Sequence, residues 1–165
     1  NHPAENLVNN DPAKKWKCSS WEKSVSVVLQ LDRAVVINSI DIGNEHSAFI
    51  EVLVGRSSSP DEPFQVNIGL CQVLLVASSF MSPMEARNGT MGTRVRMFSS
   101  EQLRKPVVEK RWDRVKVICS QPFNKHVQYG LAFISLHSTE SAHRAEGTEH
   151  ITTKIGKFPL RQDDD

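Results

Sequence analysis

One stretch of alternating apolar residues, Ser24–Gly55, constrains the fold of this chain more than any other feature. Apolar side chains recur at every second position in three successive runs, which span 25–31, 35–42 and 48–54. A spacing of two is typical of β-strands that bury one face. Turn-forming residues predict breaks at 32–34 and 43–46. In the second run the apolar phase shifts at Asn38-Ser39, which predicts a kink or bulge in that strand.

The third run is unusual in the residues that point away from its buried side. If the alternating apolar residues of 48–54 point inward, then Phe49, Glu51 and Leu53 point outward. Two apolar residues that flank a glutamate form a patch that another element or a partner normally covers. The sequence leaves open whether this chain or a partner covers the patch.

The rest of the chain predicts further short strands separated by loops. Candidate strands lie at 64–66, 71–76, 94–98, 112–119 and 130–137, with a weak edge strand within 151–160. Repetition of Gln-Val at 65–66 and 72–73 indicates an insertion at 67–72. Loops are expected at 57–63 and after Pro83, and one helical turn is expected at Ser100–Leu103. Short strands and almost no long helix predict an all-β antiparallel sandwich.

Length and composition limit the classes of protein to consider. A chain of 165 residues is long enough for one domain with a sizeable core. We expect that domain at 1–137 and, at 138–165, a linker, the possible edge strand and an acidic tail. Three cysteines without metal-ligand spacing favour a reducing compartment over a disulfide framework. No apolar run approaches the roughly 20 residues of a membrane span, and no signal peptide is visible.

The residues that carry enzyme chemistry are scattered. No nucleophile-elbow motif occurs, no glycine-rich phosphate loop occurs, and the six histidines form no metal-binding pair. We therefore expect no catalytic residue, no metal and no cofactor, and a monomeric protein that is not an enzyme.

Positive charge is concentrated in one segment although the whole chain has a net charge of only +1. Residues 87–116 hold nine basic and three acidic residues, a net charge of +6. Such a cluster suits phosphates, because each neutralised phosphate releases counterions. With no long helix to enter a groove, DNA would be bound through its backbone and shape. A solvated face paired with local acids is the alternative.

A second basic cluster surrounds an aromatic residue near the start of the chain. Lys14, Lys15 and Lys17 flank Trp16. The ring could stack on a base while the lysines contact phosphates. The alternative is that the ring closes the end of the core and the lysines are solvated.

Several ordered blocks resemble the N-terminal domain of the X-ray repair cross-complementing scaffold of single-strand break repair. The blocks are Lys15-Trp16, 26–31, Asp41-Ile42-Gly43-Asn44, 47–55, 78–83, Arg94-Val95-Arg96-Met97-Phe98 and 109–116. The resemblance runs from about His2 to His137. It implies a jelly-roll β-sandwich, galactose-binding-like, with short helical turns. It also implies a non-enzymatic nuclear role in base excision and single-strand break repair.

The resemblance implies two partners, DNA polymerase beta and nicked or gapped DNA. Matching the family's motifs to this chain assigns the polymerase contacts to Phe49, Glu51, Val73 and Arg96. The predicted outer patch therefore coincides with the implied interface. The DNA contacts are expected at the basic clusters, and the candidates are Lys14, Lys15, Lys110 and Arg111.

The sequence departs from the family at three places. An edge strand that precedes the equivalent of His2 in members is absent, and the chain lacks an initial Met, which suggests a fragment. Pro3 stands where members with an oxidisable pair carry a cysteine, so that redox switch is expected to be lost. If Val66 rather than Val73 takes the strand position, the insertion breaks the polymerase interface.

Two alternatives to a repair scaffold stay open at this point. One is a sandwich that binds a carbohydrate or a small ligand, since folds of this kind host both functions. The other is a degenerate copy of the domain that binds nothing.

Overall fold

The computed structural model of the chain describes residues 3–7, 13–57, 71–138 and 153–155. These residues form nine strands, one short α-helix and two 3-10 turns. The strands are β1 (Trp16–Lys17), β2 (Ser24–Val36), β3 (Ser39–Glu45), β4 (Phe49–Gly55), β5 (Gln72–Ser79), β6 (Val95–Phe98), β7 (Arg111–Ser120), β8 (Gly130–His137) and β9 (Thr153–Ile155). The helix is α1 (Pro83–Asn88), and the 3-10 turns are Ala4–Leu7 and Val107–Glu109.

The strands form two antiparallel sheets that pack face to face. One sheet has four strands in the order β1-β8-β3-β6, and the other has five in the order β5-β4-β7-β2-β9. Alternating apolar residues of both sheets point into the space between them and form one core. The first eight strands follow the jelly-roll order, so the predicted all-β sandwich is confirmed.

The phase shift in the second apolar run marks a corner between the sheets. The predicted break at 32–34 is wrong, because β2 runs on to Val36. A register shift between Gln30 and Val35 accommodates Asp32 and Arg33 without ending the strand. The chain then crosses from the five-stranded to the four-stranded sheet at Asn38-Ser39. The predicted kink is therefore a change of sheet between two separate strands.

The predicted helical turn at Ser100–Leu103 is also wrong. This segment forms a non-helical turn, and Leu103 points into the core. The helical residues lie in α1, in a segment predicted to be a loop, and in the 3-10 turns Ala4–Leu7 and Val107–Glu109. Pro106 precedes this 3-10 turn instead of ending a helix. Val107 and Val108 are buried, and the Val107 carbonyl accepts a hydrogen bond of 2.9 Å from Trp112 Nε1, so this loop closes one end of the core.

Trp16 and two of the three cysteines, Cys18 and Cys119, belong to the interior. Trp16 is 8% exposed and packs in the core, so the alternative of a ring that stacks on a base does not hold. All three cysteines are free, and burial raises the pKa of Cys119 to about 12.

Several predicted segments lie outside the described residues. They are the loop at 58–63, the strand start at 64–66, most of the insertion at 67–72, most of the linker and the acidic tail. A strand does occur within 151–160, where a weak edge strand was expected. This strand, β9, pairs with β2 through Leu29 opposite Ile155.

Candidate functional site

The outer face of the five-stranded sheet carries the predicted partner residues. In β4 the inward Ile50, Val52 and Val54 are at most 1% exposed, whereas Phe49 and Glu51 are partly exposed. This alternation is what a period of two produces when one side of a strand meets the core. The patch that the sequence predicted therefore does face outward.

Neighbouring strands extend this patch sideways. Leu53 of β4 lies directly opposite Val73 of β5 on one side and opposite Lys116 of β7 on the other. Glu51 lies opposite Ile118 of β7. Opposed side chains in antiparallel strands lie about 4.5–5.5 Å apart at Cβ, so these residues form one surface. We call it the apolar face, and its residues are Phe49, Glu51, Leu53, Val73 and Ile118.

The chain itself covers one end of the apolar face. The Phe49 ring packs against the Phe123 ring, with centroids 5.7 Å apart and planes inclined by 56°. Tilted pairs of this kind are favourable. Phe49 is left partly exposed, as are Glu51 and Leu53. The chain thus covers part of the patch itself, at one edge of the Phe49 ring, and leaves the rest exposed.

The structure assigns the strand position opposite Leu53 to Val73. Val66, the competing residue, lies outside the described residues. Register shifts between β4 and β5 allow both Leu74 and Leu75 to enter the core. The next residue, Val76, is 52% exposed and adds apolar surface to the edge strand.

Arg96 joins the apolar face from the other sheet. It lies in β6, and its guanidinium carbon is 5.3 Å from the Phe80 ring centroid and 4.8 Å from that of Phe98. Its Nη1 donates to the Ser79 carbonyl at 3.0 Å. Since Ser79 lies opposite Phe49 in the β4–β5 ladder, Arg96 ends beside the apolar face. All four predicted partner residues are therefore brought together.

Helix α1 is a feature that the sequence analysis missed. Ser82 is its N-cap, and the Ser82 hydroxyl and the Glu85 carboxylate form a capping box. The pattern Ser-x-x-Glu after Met81 was the available signal. Glu85 also accepts two hydrogen bonds from Arg94, whose Nη1 reaches the Phe80 carbonyl at 3.0 Å. These hydrogen bonds hold Arg94, which directly precedes β6, and so help to position Arg96.

We expect the hydrogen bonds between Ser82, Glu85 and Arg94 to make the stability of the fold depend on pH. Hydrogen bonds from Arg94 and then from the Ser82 backbone lower the pKa of Glu85 to about 2. A lowered pKa stabilises the fold above the unfolded-state value near 4.5, and this contribution is lost as pH falls towards 2. The variant Glu85→Gln should lose less stability between pH 5 and pH 2. Urea unfolding at several pH values measures this, and equal pH slopes for the two proteins would contradict it.

The nine basic residues of 87–116 do not form one patch. Arg94 and Arg96 are used in the contacts above, Arg114 is 3% exposed, and Lys116 lies on the outer side of the five-stranded sheet. The exposed residues that remain together surround the loop that closes the core. They are Arg104, Lys105, Lys110 and Arg111, and we call them the basic end.

Another cation adjoins the basic end. Arg56 is exposed, and its Nη2 donates to the Arg111 carbonyl at 2.7 Å. The Arg104 N–H donates to the Leu74 carbonyl at 2.9 Å, next to Val73 of the apolar face. The basic end and the apolar face therefore adjoin each other along β5.

Lys14 and Lys15 lie at the opposite end of the sandwich. Lys15 Nζ is 2.6 Å from the carboxylate of Glu45, the last residue of β3. β3 begins beside the corner where Val36 faces Arg111, so the two ends are separated by roughly 20 Å of strand. The four predicted DNA contacts are thus divided between two ends, and Lys15 has an acidic partner.

The described residues include no group of three or more His, Cys, Asp or Glu that could hold a metal ion. None of the helices in the same residues has both the length and the apolar character of a membrane span.

Comparison with known proteins gives a consistent result. Residues 1–136 match the family described as the XRCC1 N terminal domain. The DNA repair protein XRCC1 of Mus musculus is 46% identical over 167 residues, which cover 99% of this chain and 26% of that protein. The chain therefore spans about a quarter of the length of the curated relatives it matches.

Solved structures agree with the fold. Reduced XRCC1 bound to the DNA pol beta catalytic domain matches with a TM-score of 0.74 and 49% identity, over 83% of this chain and 87% of that one. A chitosan-binding module of a Paenibacillus chitosanase/glucanase matches with a TM-score of 0.55 and 11% identity, over 83% and 86% of the two chains. That likeness shows the sandwich fold alone, and nothing further about ligands. By the match of 1–136 and the identity over almost its whole length, this chain belongs to the XRCC1 N-terminal domain family.

Proposed function

We propose that this chain is a non-enzymatic scaffold domain of single-strand break repair, which binds DNA polymerase beta and nicked or gapped DNA in the nucleus. The observation that carries the proposal is the convergence of Phe49, Glu51, Val73 and Arg96 around one face. A relative 49% identical in sequence has been solved with the pol beta catalytic domain, which supports the choice of partner. We place the binding domain at 1–137, and the linker, the edge strand β9 and the acidic tail within 138–165.

The composition of the apolar face suits a protein partner. Apolar side chains make up most of it, Glu51 lies among them, and Lys116 and Arg96 provide charge at its margins. Stable interfaces commonly have an apolar, desolvated centre and a polar rim. We therefore assign the binding energy mainly to Phe49 and Val73, and the orientation of the partner to Glu51 and Arg96.

We assign the DNA contact to the basic end. Its four cations are exposed and close in the fold, whereas Lys15 is held by Glu45 at the opposite end. Cations on a loop, without a long helix in the described residues, suit phosphate contacts rather than base readout. Because the basic end adjoins the apolar face, one DNA end and a polymerase can be held side by side.

A charge-reversal experiment tests this assignment. Combining Lys110→Glu with Arg111→Glu should weaken binding to a nicked duplex about tenfold and reduce the salt slope by about 2. The matched control is Lys14→Glu, an exposed lysine at the other end, which should change affinity less than twofold. Binding to nicked and intact duplex is measured by fluorescence anisotropy at two salt concentrations. A larger loss from Lys14→Glu than from the double variant would overturn the assignment.

A further inference from the structure

The free edge of β6 is the feature that the proposed function does not use. β6 is the last strand of the four-stranded sheet, and among the described residues only β3 pairs with it. The Asn44 N–H donates to the Arg94 carbonyl at 2.9 Å, which makes this pair a hydrogen-bonded one. Bonded and non-bonded pairs alternate in antiparallel ladders. The peptide groups of Arg96 therefore face β3, and those of Val95 and Met97 face outward.

Those outward peptide groups have no bonding partner within the described residues. No described backbone or side-chain group donates to, or accepts from, the peptide groups of Val95 and Met97. Their side chains are also open, with Val95 57% and Met97 73% exposed. An unpaired strand edge of this kind is a template for another strand.

The apolar side chains continue from β6 across the sheet. Val95 lies opposite Gly43 of β3, and Gly43 lies opposite Phe133 of β8, which is 38% exposed. Met97 lies opposite Asp41 in the next row. Every second side chain of an added strand would therefore contact an apolar surface on this side of the sheet.

Arg96 determines the charge that the added strand should carry. Its side chain points to the other side of β6, over the Phe80 and Phe98 rings. It donates to the Ser79 carbonyl, but none of the described ion pairs gives it a carboxylate, because Glu85 is taken by Arg94. Directly opposed unlike charges stabilise a strand pair and like charges destabilise it.

A second copy of this chain fits poorly. Two β6 edges that pair antiparallel, with Val95 opposite Met97, place Arg96 opposite Arg96 of the other copy. That pairing puts two like charges in direct opposition. We propose that the free edge of β6 binds an extended peptide segment of another protein by strand addition. The segment has an acidic residue opposite Arg96 and an apolar residue on each side of it.

This inference goes beyond the polymerase contact, since it uses the outward peptide groups of Val95 and Met97 in the four-stranded sheet, and it shares only Arg96 with the proposed contact on the five-stranded sheet. The probe is a synthetic peptide, Lys-Thr-Val-Glu-Val-Thr-Lys, titrated into the full chain labelled with nitrogen-15. We expect saturable shifts of the Val95 and Met97 amide signals and slower exchange of these amides with solvent. A peptide with lysine in place of the central glutamate should bind about fivefold more weakly.

Two protein variants complete the test. Met97→Pro removes an outward donor that the fold does not use, so it should abolish peptide binding and leave the melting temperature within a few degrees. Arg96→Glu should reverse the preference, so that the lysine peptide binds more tightly than the glutamate peptide. This charge swap tests whether the peptide binds opposite Arg96 even if Met97→Pro fails to fold.

Three outcomes would overturn the proposal. One is an absence of saturable binding by the glutamate peptide, and another is signal changes confined to β5 or α1. The third is concentration-dependent protection of Val95 and Met97 without peptide, which would identify a second copy as the occupant. Polymerase binding plays no part in any of these measurements.

Discussion

The substitution Val73→Arg is expected to weaken binding of the polymerase beta catalytic domain by at least about 30-fold, or roughly 2 kcal/mol. Val73 lies directly opposite Leu53 in the apolar face. A guanidinium there would have to lose its water at the contact with the partner, which is costly for a charged group. It would also stand near Lys116, which faces Leu53 from the other side. Isothermal titration calorimetry measures the loss.

A matched control separates this effect from a general loss of apolar surface. Phe133→Arg exchanges another exposed apolar residue for arginine on the outer side of the opposite sheet. It should leave polymerase affinity within about twofold. Val73 is partly exposed on an edge strand, so Val73→Arg should still give a cooperative melting transition. Unchanged affinity for Val73→Arg, or equal losses for both variants, would rule out the apolar face as the polymerase contact.

The buried faces of the strands could be predicted from periodicity alone, but the division into sheets could not. Ile50, Val52 and Val54 are buried as their spacing predicts. A period of two is the same in either sheet, so it does not show where the chain crosses over. The shift at Asn38-Ser39 was therefore assigned to a kink within a strand. Only the change of partner, from β7 at Val36 to β8 at Ser39, shows that two strands meet there.

The apolar face was predictable in part. Phe49 and Glu51 follow from the alternation in β4. Val73 does not, because the Gln-Val pairs at 65–66 and 72–73 are alike in sequence and only the ladder with Leu53 distinguishes the position of the second. Arg96 was reached through the family resemblance, since nothing in its own pattern predicts contact with Phe80.

The basic segment shows the limit of counting charge along a chain. A net charge of +6 over 87–116 does not reveal how strands and turns distribute it. Arg94 forms an ion pair with Glu85, and Arg114 is buried although it lies on the outward side of β7. The loop that closes the core keeps Lys110 and Arg111 exposed. Only four of the nine cations therefore lie together at one end, as the candidate surface for DNA.

The second large effect is expected at Gly130, the first residue of β8. A Cβ atom added there would lie 2.1 Å from the Trp16 carbonyl oxygen and 3.1 Å from Lys17 Cα. These are backbone atoms of β1, so the clash cannot be relieved by a side-chain rotation. β1 would have to move, although Trp16 is buried in the core and the Gly130 carbonyl accepts a hydrogen bond of 2.7 Å from Ser47 Oγ. Gly130→Ala should therefore lower the free energy of unfolding by about 3 kcal/mol.

Gly89→Ala is the matched control, because it adds the same methyl group at a position with open space. No atom lies within 4 Å of the added Cβ, and the only cost comes from the left-handed backbone, with φ at 66°. That strain should lower the free energy of unfolding by about 1 kcal/mol. Urea denaturation compares the two variants, and an unchanged m-value confirms that the difference is one of stability. If Gly130→Ala costs no more than Gly89→Ala, then β1 does not pack against β8 as the structure places it. Lys15 would then lose its fixed position beside Glu45, and the placement of Lys14 and Lys15 away from the basic end would lose its support.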